Sequence, residues 1–210
     1  MKQSKILLLL VGTSGSGKTT LGIELQKMGI PELISYTNRT IRKGEIPNQT
    51  YYYVTEKEFD EITGKLESTE YAGHKYCLTK EEVERHKEDL VYCIVDANGV
   101  NQIRYNYGVE NVRVINIRIH YGQMRERLEA RGDSEDEIKK RIDYAIKNNE
   151  MERDFDLADY YITNDNLETS KKVLEYIVGV IKNEKDTISW CRQYNLQQHK
   201  TICRNLQSRI

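Results

Sequence analysis

The chain has 210 residues, enough for one sizeable α/β core with small insertions but cramped for two full domains. Lys and Arg total 32 against 33 Asp and Glu, a net charge of −1, so no overall basic excess indicates a nucleic acid or an anionic membrane as a partner. The four cysteines lie far apart without a C-x-x-C pair, which argues against a zinc site or redox motif and favours a reducing, cytoplasmic location.

An apolar run from Ile6 to Val11 leads into a glycine-rich loop, residues 12–19, and then into a helix. The run is short and unbroken, as expected of a strand buried on both faces of a parallel sheet, and too short to cross a bilayer. The loop matches G-x-x-x-x-G-K-S/T, in which backbone N–H groups surround phosphates at the N-terminus of the following helix. A chance glycine-rich turn could match the pattern alone, but the flanking strand and helix favour a nucleotide-phosphate site.

The loop predicts how ATP and Mg²⁺ are bound. Lys18 is expected to reach the β- and γ-phosphates, and the Thr19 hydroxyl is expected to bind Mg²⁺. The loop residues predicted to bind ATP are Gly12, Ser14, Gly15, Ser16, Gly17, Lys18, Thr19 and Thr20.

Residues 33–88 are predicted to form a small mixed insertion rather than part of the central sheet. Patterns that begin at Thr55 and Thr79 are capping boxes and predict two short helices, and residues 67–76 predict a hairpin. The insertion also carries a basic turn. There, Arg39 and Arg42 are expected to grip the phosphate of an acceptor with forked donors, close to Tyr51.

The core resumes with an apolar run that starts at Leu90 and ends in Asp96. An aspartate at the carboxyl end of a strand beside a phosphate loop can hold Mg²⁺ directly or through water. Without the loop, an ordinary aspartate in a strand-to-helix turn would be preferred. A further strand, residues 112–119, carries Arg113 and Arg118 and is predicted to lie nearer the sheet edge.

Two helices, residues 123–131 and 134–152, are expected to form a lid over about residues 123–150. Three arginines lie around their junction, and the alternative for each is a solvated helix face with i,i+4 partners. These arginines are Arg127, Arg131 and Arg141.

The core is predicted to comprise residues 1–32 and 89–185, ending with a strand at 159–165 and an amphipathic helix. Residues 186–210 are interpreted as a tail outside the core, helical or partly ordered. The predicted fold is a three-layer α/β/α P-loop domain with a mainly parallel sheet.

Phosphoryl transfer between two bound phosphates accounts together for the phosphate loop, the aspartate after the strand, the basic turn and the arginine-bearing helices. Such chemistry requires the protein mainly to align donor and acceptor and to neutralise charge, and an acceptor that is already a phosphate needs no base. The expected catalytic cations are Lys18, Arg39, Arg131 and Arg141.

The ordered motifs resemble the guanylate kinase family. Residues 39–45, R-T-I-R-K-G-E, look like its R-S/T-x-R-x-G-E segment, and residues 127–132, R-L-E-A-R-G, look like its R-L-x-x-R-G lid. The similarity covers roughly residues 5–183. It implies phosphoryl transfer from ATP to GMP or dGMP by a monomer or homodimer that binds small nucleotides, with no nucleic acid or membrane partner.

The resemblance also implies individual roles. Glu67 would read the guanine edge, and Asn164, Arg127 and Arg131 would bind ATP. The implied acceptor-binding residues are Ser35, Arg39, Arg42, Tyr51, Glu67, Tyr76 and Asp96.

The chain departs from the family pattern in the acceptor pocket. Leu78 stands where a hydroxyl residue is usual, and Ile94 stands where the first aspartate of D-x-D is usual. A kinase for a different nucleoside monophosphate or a sugar phosphate is therefore an alternative. A non-catalytic binding module is less favoured because Lys18, Thr19 and Asp96 are all present.

Overall fold

The computed structural model describes residues 5–41, 44–71 and 73–193. The strands are β1 (Ile6–Val11), β2 (Tyr36–Thr37), β3 (Tyr52–Tyr53), β4 (Lys65–Tyr71), β5 (His74–Thr79), β6 (Leu90–Ile94), β7 (Val112–Arg118) and β8 (Tyr160–Thr163). The helices are α1 (Lys18–Lys27), α2 (Glu56–Glu61), α3 (Lys80–Arg85), α4 (Ala97–Tyr107), α5 (Tyr121–Arg131), α6 (Glu135–Lys147), α7 (Glu150–Leu157) and α8 (Leu167–Gln193).

The central sheet has four parallel strands in the order β6-β1-β7-β8. Residues Leu7–Val11 of β1 have no exposed surface, as the unbroken apolar run predicts for a strand covered on both faces. Because all four strands run the same way, their carboxyl ends share one edge, where the glycine-rich loop and Asp96 follow β1 and β6. The predicted α/β fold with a parallel sheet is confirmed.

The prediction that residues 112–119 lie nearer the sheet edge is wrong. Strand β7 pairs with β1 on one side and β8 on the other, so β6 and β8 are the edge strands. The two arginines lie near the strand ends and find local partners. Arg113 Nη1 donates to the carbonyls of Glu110 (3.1 Å) and Val112 (2.9 Å), and the Arg118 guanidinium lies 5.0 Å from the centre of the Phe155 ring.

A second, mixed sheet lies within residues 36–79 and has the order β3-β2-β5-β4. Strand β2 pairs in parallel with β3 and antiparallel with β5, while β4 and β5 form the predicted hairpin. The boundaries of the insertion and of the other predicted segments remain predictions. The chain divides into two compact units, Met1–Ser170 and Lys171–Ile210.

The two predicted helix starts differ in their capping. Thr55 and Glu58 form the full capping box at α2, with hydrogen bonds in both directions. At α3, the Thr79 hydroxyl accepts from the Glu82 N–H, but the Glu82 carboxylate is bonded to the Ile34 N–H instead of returning to Thr79. The second sequence signal therefore predicts the helix but not the partner of its glutamate.

The predicted single helix over residues 134–152 is two helices. Helix α6 ends at Lys147, and α7 begins at Glu150. Between them, Asn149 adopts a left-handed conformation with φ 49° and ψ 42°, which interrupts the helical ladder. Asparagine tolerates this region better than most residues, so the Asn148-Asn149 pair was a usable signal.

The segment interpreted as a tail lies only partly within the described residues. Residues 186–193 continue α8, and residues 194–210 lie outside the described part of the chain. Across the described ranges, none of the helices combines the length and apolar character needed to cross a membrane.

One helix glycine provides a test of this packing. A Cβ added at Gly22 of α1 would lie 2.8 Å from Tyr92 Oη and 2.9 Å from its ring atom Cε2. Tyr92 is buried, and its hydroxyl is fixed by Glu32 (2.8 Å) and Gln26 (3.0 Å). We expect Gly22→Ala to lower the free energy of unfolding by about 1–3 kcal/mol in urea denaturation, because the ring cannot easily withdraw.

The matched control is Gly122→Ala in α5, where an added Cβ meets no heavy atom within 4 Å. That change is expected to be neutral or to stabilise by up to about 1 kcal/mol, through helix propensity alone. Equal stabilities for the two variants would contradict the packing of α1 against Tyr92.

Candidate active site

The glycine-rich loop passes so close to its neighbours that two positions exclude any side chain. A Cβ at Gly12 (φ 141°) would lie 2.2 Å from the Ile117 carbonyl oxygen, and a Cβ at Gly17 (φ 98°) would lie 2.2 Å from Asn164 Nδ2. Both residues also have positive φ, which favours glycine. The loop backbone is thereby held against β7 and against the end of β8.

The Lys18 ammonium is held by the loop itself. Its Nζ donates to the carbonyls of Gly12 (2.7 Å) and Thr13 (2.9 Å). Burial lowers the pKa of Lys18 to about 8, while the negative charges of Glu150 and Asp154 oppose the shift. The ammonium is therefore still mostly protonated at pH 7 and remains available to an anion.

The three predicted lid arginines are all brought to the loop or to one carboxylate beside it. Arg127 donates to the carbonyls of Gly15 (3.4 Å) and Ser16 (3.3 Å), and it also contacts the Asn164 carbonyl. Arg141 donates to the Ser14 hydroxyl at 3.1 Å.

The Asp133 carboxylate links Arg131 to Arg141. Its carboxylate accepts from Arg131 Nε at 2.8 Å and lies 3.2 Å from Arg141 Nε. The helices that carry these arginines are packed by a small apolar cluster. Its buried members are Ile119, Met124, Leu128, Ile138 and Ala145.

Asn164 lies against the loop, with 3% of its surface exposed. Its Nδ2 donates to the Ser16 carbonyl at 2.8 Å, whereas its Oδ1 and the Ser16 hydroxyl are buried without a hydrogen-bond partner. The structure thus places Asn164 beside the phosphate loop. Its role in binding ATP stays a prediction.

In the segment that follows β2, Arg39 is buried and bound at both ends of its guanidinium fork. Nη2 and Nη1 donate to the Glu45 carboxylate at 2.7 and 3.0 Å, and Nη1 also donates to the Thr40 carbonyl at 2.8 Å. Tyr53 donates to the same carboxylate at 2.8 Å. Arg42, the other predicted phosphate-binding arginine, lies outside the described residues.

Aromatic rings surround this arginine. The guanidinium lies 5.4 Å from the centre of the Tyr51 ring, and that ring contacts Tyr76 edge-on at 5.8 Å. Burial, followed by the nearby Tyr76, raises the pKa of Tyr51 to about 12, so its hydroxyl stays a donor near neutrality. The Ser35 carbonyl accepts from the Tyr52 N–H at 3.0 Å, which ties β2 to β3 beside the cluster.

Two predicted acidic residues, Glu67 and Asp96, lie close together. A Cβ added at Gly99 would be 3.5 Å from both Glu67 Oε2 and Asp96 Oδ1, so both carboxylates lie beside this glycine. Burial and then the charge of Asp96 raise the pKa of Glu67 to about 8, against a hydrogen bond from the Leu78 backbone. Asp96 caps α4, its Oδ1 accepting from the Gly99 N–H at 2.8 Å.

Oxygen ligands for a divalent cation are present but few. Asp96 uses one carboxylate oxygen for the helix cap, and Thr19 offers an exposed hydroxyl. Within the described ranges, no group of three or more His, Cys, Asp or Glu side chains could hold a metal ion. This sparse set suits Mg²⁺, which is commonly bound by one or two protein groups together with substrate phosphates and water.

Sequence reasoning missed the acidic residues of α7. Glu150 and Asp154 lie close enough to Lys18 to affect its pKa, and Arg153 Nη2 lies 3.7 Å from Glu150 and 3.1 Å from Asp154. Burial raises the pKa of both carboxyls. A continuous helix over 134–152 gave no reason to place these residues at the loop.

Leu78, one of the residues that depart from the family pattern, is fully buried. It belongs to the apolar cluster that includes Leu66 and Val83, whereas Ile94 at the end of β6 is half-buried. Leu78 therefore belongs to an apolar cluster that also contains residues of β1, β6, β7 and α4.

Comparison with known proteins agrees with this geometry. The family model described as guanylate kinase matches residues 4–180. A guanylate kinase from Clostridioides difficile is 29% identical over 205 residues, covering 93% of this chain and 96% of the relative. One from Geobacter metallireducens is 33% identical over 188 residues, with coverages of 85% and 90%.

Solved structures support the same fold. The crystal structure of guanylate kinase from Anaplasma phagocytophilum aligns with a TM-score of 0.63 at 22% identity, covering 87% of this chain and 86% of that one. At this identity the likeness concerns the fold, whereas the family model spans most of the chain. The chain belongs to the guanylate kinase family.

Proposed function

We propose that this chain is an active kinase that transfers the terminal phosphoryl group of ATP to GMP, giving ADP and GDP. The observation that carries the proposal is the presence of two separate cationic sites. One is the glycine-rich loop with Lys18, Arg127 and Arg141, and the other is the buried Arg39 within its tyrosine cluster. A transferase that joins two phosphates needs one such site for each.

At the donor site, the chain's own groups align and neutralise the phosphates. Backbone N–H groups of the loop and the N-terminus of α1 favour the anion, and Lys18 exchanges its carbonyl partners for phosphate oxygens. Arg131 and Arg141, which share Asp133, are the lid cations that would face the transferring group. Closing the lid excludes water that would otherwise hydrolyse ATP.

At the acceptor site, no general base is required because the phosphate of GMP is already an oxyanion. Arg39 would bind that phosphate with the help of Tyr51, exchanging part of its contact with Glu45. Glu67 would accept hydrogen bonds from the guanine N1–H and exocyclic amine. The raised pKa of Glu67 indicates that these donors would have to stabilise its ionised form.

Mg²⁺ is the proposed metal, with Thr19 and Asp96 as its protein ligands. When bound, the ion would neutralise charge on the transferring phosphate. Cytoplasmic location and a monomeric or homodimeric state are further proposals that follow from the composition and the family.

A different acceptor is the second candidate, and Leu78 favours it. A hydroxyl at this position would offer the base a hydrogen bond that a leucine cannot offer. Without that hydrogen bond, recognition of the GMP base would depend more strongly on Glu67.

The first prediction of the proposed function concerns Lys18. Replacing it by alanine removes the cation at the loop, and we expect kcat to fall by about 10²–10³-fold, as for other single transition-state donors. ADP formation from ATP, Mg²⁺ and GMP measures the effect. Lys27→Ala is the matched control, because this exposed lysine of the same helix pairs with Glu24 (2.9 Å) on the surface, and its loss should leave kcat unchanged.

The second prediction concerns Glu67. Glu67→Gln keeps the shape of the buried side chain but removes an ionic acceptor, so the KM for GMP should rise about 10- to 100-fold. Folding should tolerate the change, since Glu67 has a pKa of about 8 and is largely neutral at pH 7 without a ligand.

The control for Glu67 is Glu70→Gln on the exposed part of the same strand. A panel of GMP, dGMP, AMP, CMP and UMP separates base recognition from general binding. If Glu67→Gln turned over GMP like the wild type, the base-reading assignment would be wrong, and a wild-type preference for another nucleotide would favour the second candidate.

A further inference from the structure

Glu82 of α3 is a buried carboxylate to which the proposed chemistry gives no role. Only 2% of its surface is exposed. Oε1 accepts from the Ile34 backbone N–H at 3.1 Å, and Oε2 accepts from the Tyr52 hydroxyl at 3.1 Å. The Arg85 guanidinium lies 3.4 Å from Oε2 and supplies the opposite charge that a buried carboxylate needs.

These contacts join α3 to two segments that are distant from it in sequence, the segment at Ile34 and strand β3. Ile34 lies on the connection that leads from the central sheet into the second sheet, and Glu82 lies on the connection that leads back. Tyr52 belongs to β3, which borders the second sheet. One carboxylate therefore ties both connections and the edge strand together.

Tyr52 is fixed from several sides. Arg85 Nη1 donates to its hydroxyl at 2.6 Å, and its ring lies 4.8 Å from that of Tyr36 on the neighbouring strand. Its backbone N–H donates to the Ser35 carbonyl at 3.0 Å. The side chain thus has little freedom to shift without moving its strand.

Tyr51 and Tyr53, the residues on either side of Tyr52, pack around Arg39 at the proposed acceptor site. The Tyr51 and Tyr53 rings lie 5.4 and 5.8 Å from the Arg39 guanidinium. Successive side chains of an extended segment point to opposite faces, so Glu82 holds one face of this segment while the other face contacts Arg39. A displacement of Tyr52 would be transmitted directly to Tyr51.

We propose that Glu82 is a positioning residue for the acceptor site, acting through Tyr52 on the place of Tyr51 and Arg39. The inference rests on the proposed function, because it assigns this cluster to the acceptor phosphate. Glu82 itself is not one of the residues assigned to either substrate, and its carboxylate contacts Ile34, Tyr52 and Arg85.

The test uses two conservative variants of the full chain. Tyr52→Phe removes one hydroxyl and keeps the ring, and Glu82→Gln keeps the side-chain shape. Each should raise the KM for GMP about three- to tenfold, the effect of one lost hydrogen bond, with kcat and the KM for ATP changed less than about twofold. Calorimetric binding of GMP should weaken by the same factor.

Glu84→Gln is the matched control, since it makes the same charge change on the exposed face of α3, where Glu84 lies 3.9 Å from Lys80. Its kinetics should equal those of the wild type. Urea denaturation confirms that every variant is folded at the assay temperature.

An unchanged KM for GMP in both variants, or an equal rise in the KM for ATP, would overturn the positioning role. Wild-type protein that neither binds nor phosphorylates GMP would instead refute the proposed function, and the inference with it. The two failures are distinguishable because the first is seen only in the variants.

Discussion

The close approach of the phosphate loop to the sheet is the constraint on which the rest of the site depends. At Gly12 and Gly17, the space that a Cβ would need is taken by a β7 carbonyl and by the Asn164 amide. The loop can therefore be built only from residues without side chains at these points. Because of this close approach, the loop carbonyls accept hydrogen bonds from Lys18, Arg127 and Asn164. The loop therefore contacts side chains from α1, from α5 and from the end of β8.

The cations gathered at the two sites share a common feature, which is that each already has a partner within the chain. Lys18 binds loop carbonyls, Arg39 binds Glu45, and Arg131 and Arg141 bind Asp133. Concentrating positive charge without such partners would be costly because of repulsion and desolvation. A phosphate bound as proposed would therefore compete with existing oxygens, and its affinity would reflect the difference between the two sets of contacts rather than the number of cations.

The central sheet and the identity of the loop could be predicted from sequence because their signals are local. The apolar run of β1 and the glycine pattern each fix a backbone conformation within a few residues. The Glu82 carboxylate bonds Ile34 and Tyr52 instead of returning to Thr79 to complete the capping box. These contacts could not be predicted, since Ile34 and Tyr52 reach Glu82 only through the tertiary fold. Helix α4 entered only through the less favoured interpretation of Asp96, as an aspartate in a strand-to-helix turn. In the structure the carboxylate does cap that helix and accepts the Gly99 N–H.

The location of Leu78 changes how its departure from the family pattern bears on the acceptor. Its side chain is wholly buried among Leu66, Val83 and other apolar residues, so the leucine replaces a hydroxyl by apolar packing and adds no bulk to an exposed surface. A smaller pocket would exclude purines by size, whereas a pocket that has only lost a donor discriminates less between bases. Rejection of the wrong base then depends mainly on unpaired buried polar groups. Under the proposed function, Glu67, which is buried and lies near Asp96, is the carboxylate that such a base would leave unpaired.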